Sequence, residues 1–218
     1  MKFKLIYFTY LFIVLIALAF ISAGCENKQT AEMTEQQMLE RGKLLITVGD
    51  CEVCHTPKKF GPMGPELDST RRFSGRPAGM EVAQIDTSLL NNWAYLSHDL
   101  SSFVGPWGVS FPANLTPDNE TGIGTWQPEM FINAIRTGKH LGVADGRPIL
   151  PPMTTSTLAQ LTDEDLKAMF MYLKSMPAIK NKVPDPIPPQ GLASLHKSSG
   201  KTTKSKTVMK EEQTNKPD

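Results

Sequence analysis

Two cysteines and one histidine lie within five consecutive residues of this chain, Cys51-Glu52-Val53-Cys54-His55. The two intervening residues place both thiols on one turn of helix, and the next residue directs its imidazole from the same face. This is the attachment pattern of a c-type haem, in which the thiols add to the two porphyrin vinyl groups and the imidazole binds the iron. The motif occurs once. We therefore predict one covalently attached haem c, bound through Cys51 and Cys54 and ligated by His55.

Other kinds of site use a cysteine pair of the same spacing. A thioredoxin-like redox pair requires a βαβ context, and the sequence shows no βαβ pattern. Half of a zinc site would require a distant histidine, because the chain has no second close cysteine pair. A chance occurrence without function is the third alternative. The helix predicted just before the motif and the missing βαβ pattern favour the haem.

The second axial ligand decides whether such a haem carries electrons or reacts. A methionine or histidine on the other face of the iron gives an electron carrier, whereas a labile sixth ligand gives a haem enzyme or sensor. Met153 is the leading candidate, because the prolines of its loop fix the backbone and lower the entropy of holding a weak ligand. The alternatives are other loop residues, Met63, Met80, His98 and His140. We predict His/Met ligation through His55 and Met153, and hence an electron carrier rather than an enzyme.

The N-terminus has the pattern of an export signal. Two lysines precede an apolar run over residues 5–21, and small residues then lead to Cys25. This ending resembles a bacterial lipoprotein signal, in which the cysteine is acylated and becomes the first mature residue. We predict a signal peptide over residues 1–24, lipidation of Cys25 and a tether over 25–33. The alternatives are a soluble cleaved form and an uncleaved membrane helix, for which about 17 residues is the short limit.

A lipid anchor at Cys25 puts the folded domain outside the cytoplasm, on the periplasmic side of a membrane or at the cell surface. The membrane is then one partner, reached through the anchor. The formal net charge of the chain is +1 and its lysines are dispersed outside the tail, which indicates no nucleic-acid partner.

Helical periodicity and capping residues predict three long helices, over residues 34–48, 128–136 and 163–175. The chain between the haem motif and the second helix is rich in Gly-Pro pairs, which indicates loops. These features predict an all-α fold for a domain over residues 34–184. Residues 185–218 are rich in proline and lysine and poor in large apolar groups, so we predict a disordered tail.

The order of helix, haem motif, loops, helix, methionine loop and helix resembles the class I cytochrome c domain. The resemblance implies a cytochrome c fold, with several helices and long loops around one haem, in which the first and last helices cross. Gly42 matches the glycine of that crossing, and Phe170 or Tyr172 matches its aromatic residue. The segment 64–67, Gly-Pro-Glu-Leu, resembles the one whose proline backbone helps to orient the proximal histidine, here His55.

A narrower resemblance lies in residues 114–118, Asn-Leu-Thr-Pro-Asp, and 121–126, Thr-Gly-Ile-Gly-Thr-Trp. These stretches are similar to cytochrome subunits of membrane-bound alcohol and gluconate dehydrogenases, which usually carry three haem motifs. The resemblance implies redox partner proteins, a dehydrogenase or a terminal oxidase, with a fixed subunit of such a complex as the alternative to a free carrier. The alternative role for 114–118 is a structural turn. Trp107, Trp126 and Arg147 are candidates for hydrogen-bonding a haem propionate.

Overall fold

The computed structural model describes residues 32–195 of the chain. The haem motif lies in the compact unit that begins at Gln36. Cys25, the predicted signal peptide and residues 196–218 lie outside the described residues. Within residues 32–195, no helix is both long and apolar enough to cross a membrane.

Helices form where the sequence has a period of 3.6 residues. The α-helices of the described part are α1 (Glu35–Val48), α2 (Cys51–His55), α3 (Pro128–Thr137), α4 (Thr155–Leu158) and α5 (Asp163–Lys174). Shorter 3₁₀ helices span Ser69–Arg71, Thr87–Asn91, His140–Gly142 and Pro189–Leu195. The three long helices predicted from periodicity are confirmed as α1, α3 and α5. Thr162 caps α5 by accepting a hydrogen bond from the Asp165 amide at 3.1 Å, and Gly138 ends α3 in the left-handed conformation.

Helices α1 and α5 meet at a glycine. A Cβ atom at Gly42 would lie 2.0 Å from the carbonyl oxygen of Ala168 and 2.9 Å from the Cβ atom of Tyr172. The missing side chain therefore allows the two backbones to approach this closely. Across the same contact, Arg41 Nε donates to the Asp165 carboxylate at 2.7 Å. Of the two aromatic candidates for this crossing, Tyr172 lies at the glycine.

The main hydrophobic core includes residues of α1, α3 and α5. Its buried side chains are Ile46, Phe73, Ile123, Phe131, Ile135, Leu166, Met169, Phe170 and Leu173. The rings of Phe131 on α3 and Phe170 on α5 pack with centroids 5.6 Å apart. Two core residues, Phe73 and Ile123, come from the long segment between α2 and α3. That segment is therefore part of the core and not a surface loop alone.

The same segment contains two small antiparallel sheets, so the prediction of an all-α fold is wrong and the fold is mixed α and β. The strands are β1 (Lys58–Gly61), β2 (Gly64–Leu67), β3 (Tyr95–Leu96), β4 (Phe103–Gly105) and β5 (Gly108–Ser110). Strand β1 pairs with β2 in one sheet, and the order in the other sheet is β3-β4-β5. Each of these strands has four residues or fewer, which is too short for a period of two residues to stand out.

The residues that follow α5 cover the three-stranded sheet. Val109 and Ile187 exchange two backbone hydrogen bonds of 2.8 and 3.0 Å. The amide of Ile85 donates to the carbonyl of Leu195 at 2.9 Å. These contacts lie beside a second buried cluster, formed by Leu90, Val104 and Val109. Residues of the segment 185–195, which follows the predicted domain end at residue 184, therefore pack beside this sheet.

Candidate haem-binding site

Helix α2 is a single turn that carries the two cysteines and the histidine. Asp50, in the left-handed conformation with φ +50°, separates it from α1. The Thr56 amide ends the turn by donating to the Glu52 carbonyl at 3.0 Å. Cys51 and Cys54 are three positions apart and share one side of the turn, where both are partly buried free thiols. Burial raises the pKa of both thiols.

The imidazole of His55 is oriented by a backbone carbonyl. Its Nδ1 atom lies 2.8 Å from the carbonyl oxygen of Ala113. In the tautomer that suits this contact, Nδ1–H donates to Ala113 and the lone pair of Nε2 is left for a metal ion. Burial of the ring lowers the pKa of His55, which favours the neutral imidazole that metals bind. The segment 64–67, to which the class I resemblance assigns this orienting role, forms β2 instead.

Gly75 joins the two chain segments that hold this histidine. Its amide donates to the carbonyl oxygen of His55 at 2.7 Å. Its φ is +74°, and a Cβ atom here would lie 2.5 Å from the carbonyl oxygen of Pro112. A larger residue would separate Pro112 and Ala113 from the haem motif. The sequence analysis missed both Gly75 and Ala113. The local signal that could have pointed to Gly75 is the glycine itself, because glycine is typical of turns.

Two further contacts fix α2 to the rest of the domain. Arg72 forms a two-point ion pair with Glu52, in which Nη2 lies 2.9 Å from Oε2. The buried hydroxyl of Thr56 accepts a hydrogen bond from the Phe73 amide at 3.0 Å. Because the Phe73 ring belongs to the main core, the turn that bears the cysteines is tied directly to that core.

Asp68 is a buried carboxylate where the β1–β2 hairpin ends. The Thr70 hydroxyl donates to it at 2.6 Å, and Lys59 Nζ lies 2.9 Å from the same oxygen. Arg71 Nε donates to the second oxygen at 2.7 Å. These donors hold the pKa of the Asp68 carboxyl well below its usual range, and the Thr70 hydroxyl has the largest effect. The Asp68 amide also donates to the Pro57 carbonyl at 2.8 Å, close to the end of α2.

We expect Asp68→Asn to remove a pH-dependent part of the stability. A carboxylate whose pKa is lowered by folding stabilises the protein fully above its unfolded pKa of about 3.9, and this stabilisation disappears as the pH falls through the folded value. Denaturant unfolding at a series of pH values should show the wild type losing stability below about pH 4 more steeply than the variant. Asp145→Asn, at an exposed loop carboxylate, is the matched control. Parallel curves for wild type and Asp68→Asn would contradict this role.

Met153 lies in the loop between α3 and α4, which is anchored by backbone contacts. The amide of Ile149 donates to the carbonyl of Gly138, at the end of α3, with a length of 2.7 Å. The hydroxyl of Ser110 on β5 donates to the carbonyl of Pro151. The partly buried side chain of Met153 packs against the main core, as does that of Cys51. The predicted sixth ligand and one haem-attaching cysteine therefore border the same apolar cluster.

The other four candidates for the sixth ligand lie in different surroundings. Met63 is in the turn between β1 and β2 and is 93% exposed. The sulfur of Met80 accepts a hydrogen bond from a serine hydroxyl at 3.4 Å. The imidazole of His98 lies against the ring of Phe60, with centroids 4.8 Å apart, and that of His140 lies against the ring of Trp126, with centroids 5.6 Å apart. Of the three methionines weighed as the sixth ligand, Met63, Met80 and Met153, the last is the one that packs against the main core.

The alternatives to a haem have specific structural requirements. A thioredoxin-like pair needs parallel strands joined by a helix, whereas both sheets of the described part are antiparallel. A zinc site at the cysteine pair needs further ligands. Over residues 32–195, no three side chains of His, Cys, Asp or Glu gather as a metal-binding group.

A cavity of about 390 Å³ lies beside the carbonyl that holds His55, and Ala113 is part of its wall. Its apolar lining includes Phe111, Leu115 and Ile123, and its hydrogen-bond donors include Trp126, His140 and Arg147. Polar side chains such as Asn114, Glu120 and Lys182 also line it, so the wall is about as polar as it is apolar. None of Cys51, Cys54, His55 and Met153 is part of this wall, and its donors suit the propionate groups of a haem held beside it. Two of the predicted propionate donors, Trp126 and Arg147, line this cavity.

Arg76 is a buried cation beside this cavity. The sequence analysis missed it, because a single arginine belongs to no motif with a recognisable spacing. It is 1% exposed, and its guanidinium lies 4.8 Å over the ring of Phe111 in the cavity wall. Among the described residues, its Nε atom is one of three buried side-chain atoms without a hydrogen-bond partner, and Nε1 of Trp107 is another. A buried N–H group of this kind is satisfied by an acceptor such as a carboxylate. The unpaired Nε atom of Arg76 and the donors of the cavity wall therefore suit the carboxylates of a haem c.

Known proteins similar to this chain are subunits of dehydrogenases. The chain is 30% identical to a subunit of the nicotinate dehydrogenase of Pseudomonas putida over 147 residues, 67% of this chain and 9% of that protein. It is 28% identical over 173 residues to the cytochrome c subunit of alcohol dehydrogenase (quinone) of Gluconobacter oxydans, 78% of this chain and 28% of that subunit. It is 27% identical over 141 residues to the gluconate 2-dehydrogenase cytochrome c subunit of Pantoea cypripedii, 65% of this chain and 24% of that subunit.

The chain spans less than a third of the length of each of these relatives. No protein-family model matches it. Cytochrome subunits of alcohol, gluconate and fructose dehydrogenases are among its homologues, and they support a cytochrome c-like family and imply haem c as the cofactor.

Proposed function

We propose that this chain is a monohaem c-type cytochrome that transfers electrons at the extracytoplasmic surface of a membrane. The observation that carries the proposal is the turn of α2, on which Cys51, Cys54 and His55 lie together while the Ala113 carbonyl fixes the imidazole. In this proposal Cys51 and Cys54 would hold one haem c by thioether bonds, and His55 and Met153 would ligate its iron.

When bound, a haem c supplies a one-electron change at its iron, and the protein decides how easily that change occurs. His55 donates its Nδ1 proton to Ala113, which fixes the ring and makes Nε2 a stronger ligand. Met153 offers a soft thioether, which favours reduced iron and raises the reduction potential. The core behind Cys51 and Met153 excludes water and so disfavours the more highly charged oxidised form. With His55 and Met153 both holding the iron, the chain would carry electrons and would perform no substrate chemistry there.

A dehydrogenase is the electron donor that the comparisons support. Homologues of this chain are cytochrome subunits of alcohol, gluconate and fructose dehydrogenases. We propose that this chain accepts electrons from a dehydrogenase and delivers them to another redox protein such as a terminal oxidase. The second candidate is a fixed cytochrome subunit of a dehydrogenase complex, which the same homologues favour.

The proposed location rests on the leader pattern that ends at Cys25. In this proposal an acyl group on Cys25 holds the domain at the membrane outside the cytoplasm. Anchoring raises the effective concentration of the cytochrome for partners in the same membrane.

The experiment that tests the proposal combines a pyridine haemochrome assay with mass spectrometry of the full chain purified from membranes. We expect one haem per chain that stays attached after denaturation, because thioether bonds survive it, and an acyl group on Cys25. The Cys51→Ala/Cys54→Ala double variant is the matched control and should lose covalently bound haem.

The two parts of the proposal fail separately. A wild-type chain without haem, or one whose haem is extracted by acidified acetone, contradicts the cytochrome assignment. A chain that carries haem but no acyl group contradicts the lipoprotein assignment alone.

A further inference from the structure

The hairpin of β1 and β2 begins three residues after His55 and presents an apolar face. Phe60 lies opposite Pro65 in its register, and Leu67 lies opposite Lys58. Side chains at these positions point to the same face, because neighbouring residues along a strand alternate. Met63 stands in the turn between the strands. Phe60, Met63, Pro65 and Leu67 together are termed the hairpin face.

The hairpin face is open to solvent. Phe60 is 58% exposed, Met63 93% and Leu67 43%. His98 covers part of Phe60, with ring centroids 4.8 Å apart. Single exposed apolar residues are ordinary on protein surfaces, but a group of them on one small element marks a contact site.

The hairpin face is fixed next to the haem motif. Lys58, the first residue of β1, reaches back to α2, where its Nζ donates to the carbonyl oxygens of Thr56, at 2.9 Å, and Val53. The hairpin is therefore attached to the same turn that carries Cys54 and His55.

The cations around the hairpin face are already engaged within the chain. Lys59 and Arg71 both pair with the Asp68 carboxylate, at 2.9 and 2.7 Å. Lys58 is held by the carbonyls of α2. Lys59 and Glu66 lie opposite each other on the other face of the hairpin. Charge complementarity therefore points to an apolar and weakly charged partner surface rather than an acidic one.

We propose that the hairpin face is the docking surface for the redox protein that exchanges electrons with the haem, and that this protein meets it with an apolar, weakly charged surface. The inference rests on the proposed function, because docking here would place the partner beside the turn of Cys54, to which the haem would be attached. A lipid surface is the other possible occupant. The imidazole of His98 against Phe60 gives the hairpin face a polar rim, which suits a protein interface better than insertion into hydrocarbon.

The test uses the full haem-loaded chain and gold electrodes with two coatings, a methyl-terminated and a carboxylate-terminated alkanethiol monolayer. We expect faster electron exchange on the methyl-terminated monolayer, at a rate that added salt does not lower. The Phe60→Ser/Met63→Ser double variant should lower this rate about tenfold or more, because docking loses the burial of two large apolar side chains.

Trp93→Ser is the matched control, since Trp93 is a 67% exposed aromatic residue outside the hairpin. It should keep the wild-type rate, and both variants should keep the wild-type haem spectrum and reduction potential. An unchanged rate in the double variant, or faster exchange on the carboxylate monolayer, overturns the proposal. So does weaker binding of the double variant than of Trp93→Ser to phosphatidylcholine vesicles, which identifies a lipid surface. Absence of haem from the wild-type chain is instead a failure of the proposed function, and it overturns both.

Discussion

Replacing Met153 with alanine is expected to open the sixth position of the haem iron and to lower the reduction potential. The thioether favours the ferrous state, so its loss should lower the potential by roughly 0.1–0.2 V, within the range of about 0.8 V that axial ligands command. Two spectroscopic changes should accompany the fall. The near-infrared band that reports methionine coordination to ferric haem should disappear, and the reduced protein should bind carbon monoxide.

The backbone of the Met153 loop should survive this change. The Ser110 hydroxyl and the Ile149 amide hold the loop through contacts that do not involve the methionine side chain. A change in the spectrum of the variant then reports ligation rather than unfolding. Circular dichroism of the haem-loaded protein should be the same for wild type and Met153→Ala.

The matched controls are the other two methionines that the sequence offers as the sixth ligand. Met63→Ala removes a side chain that is 93% exposed, and Met80→Ala removes a sulfur that accepts a serine hydroxyl. Both variants should keep the near-infrared band and exclude carbon monoxide, and so should His140→Ala. A Met153→Ala protein that retained its band, while one of these variants lost it, would show that the sixth ligand had been assigned to the wrong residue.

Local spacing is sufficient to predict much of this site. The turn of α2 and the long helices depend on residues within four positions of one another, so their signals lie in short stretches of sequence. The proline-rich loop of Met153 is also a local signal. The helix crossing at Gly42 is different, because it was inferred from a resemblance and the contact with Ala168 appears in the structure alone.

The orientation of His55 was not predictable in the same way. Its partner, Ala113, lies 58 positions away and contributes a backbone oxygen, a group that nearly every residue carries. Gly75 and Ala113 both lie in the segment 66–123, which its Gly-Pro pairs indicate as loops. The strands between α2 and α3 are two to four residues long, so hydrophobic alternation does not reveal them, and the prediction of an all-α fold fails there.

Gly42→Ala is expected to lower the free energy of unfolding by about 2–3 kcal/mol. The new methyl group would lie 2.0 Å from the Ala168 carbonyl oxygen, so α1 and α5 must move apart, and overpacking of this kind typically costs about 1–3 kcal/mol. At an exposed helix position the same change would raise stability by about 1 kcal/mol, because alanine is the better helix former. The sign of the change therefore reports whether α1 touches α5 at this glycine.

Denaturant unfolding of the full chain, followed by circular dichroism, gives this sign. Gly61→Ala is the matched control, because a Cβ atom there meets the flexible end of Glu66 first, at 3.2 Å, and stability should change by less than about 0.5 kcal/mol. Adding Tyr172→Ala to Gly42→Ala should not restore stability, since the nearest obstructing atom belongs to the Ala168 backbone and not to the tyrosine side chain. A stabilised Gly42→Ala protein would place this face of α1 in solvent and remove the crossing from the fold. Full recovery in the double variant would keep the crossing but make Tyr172 the residue that requires the glycine.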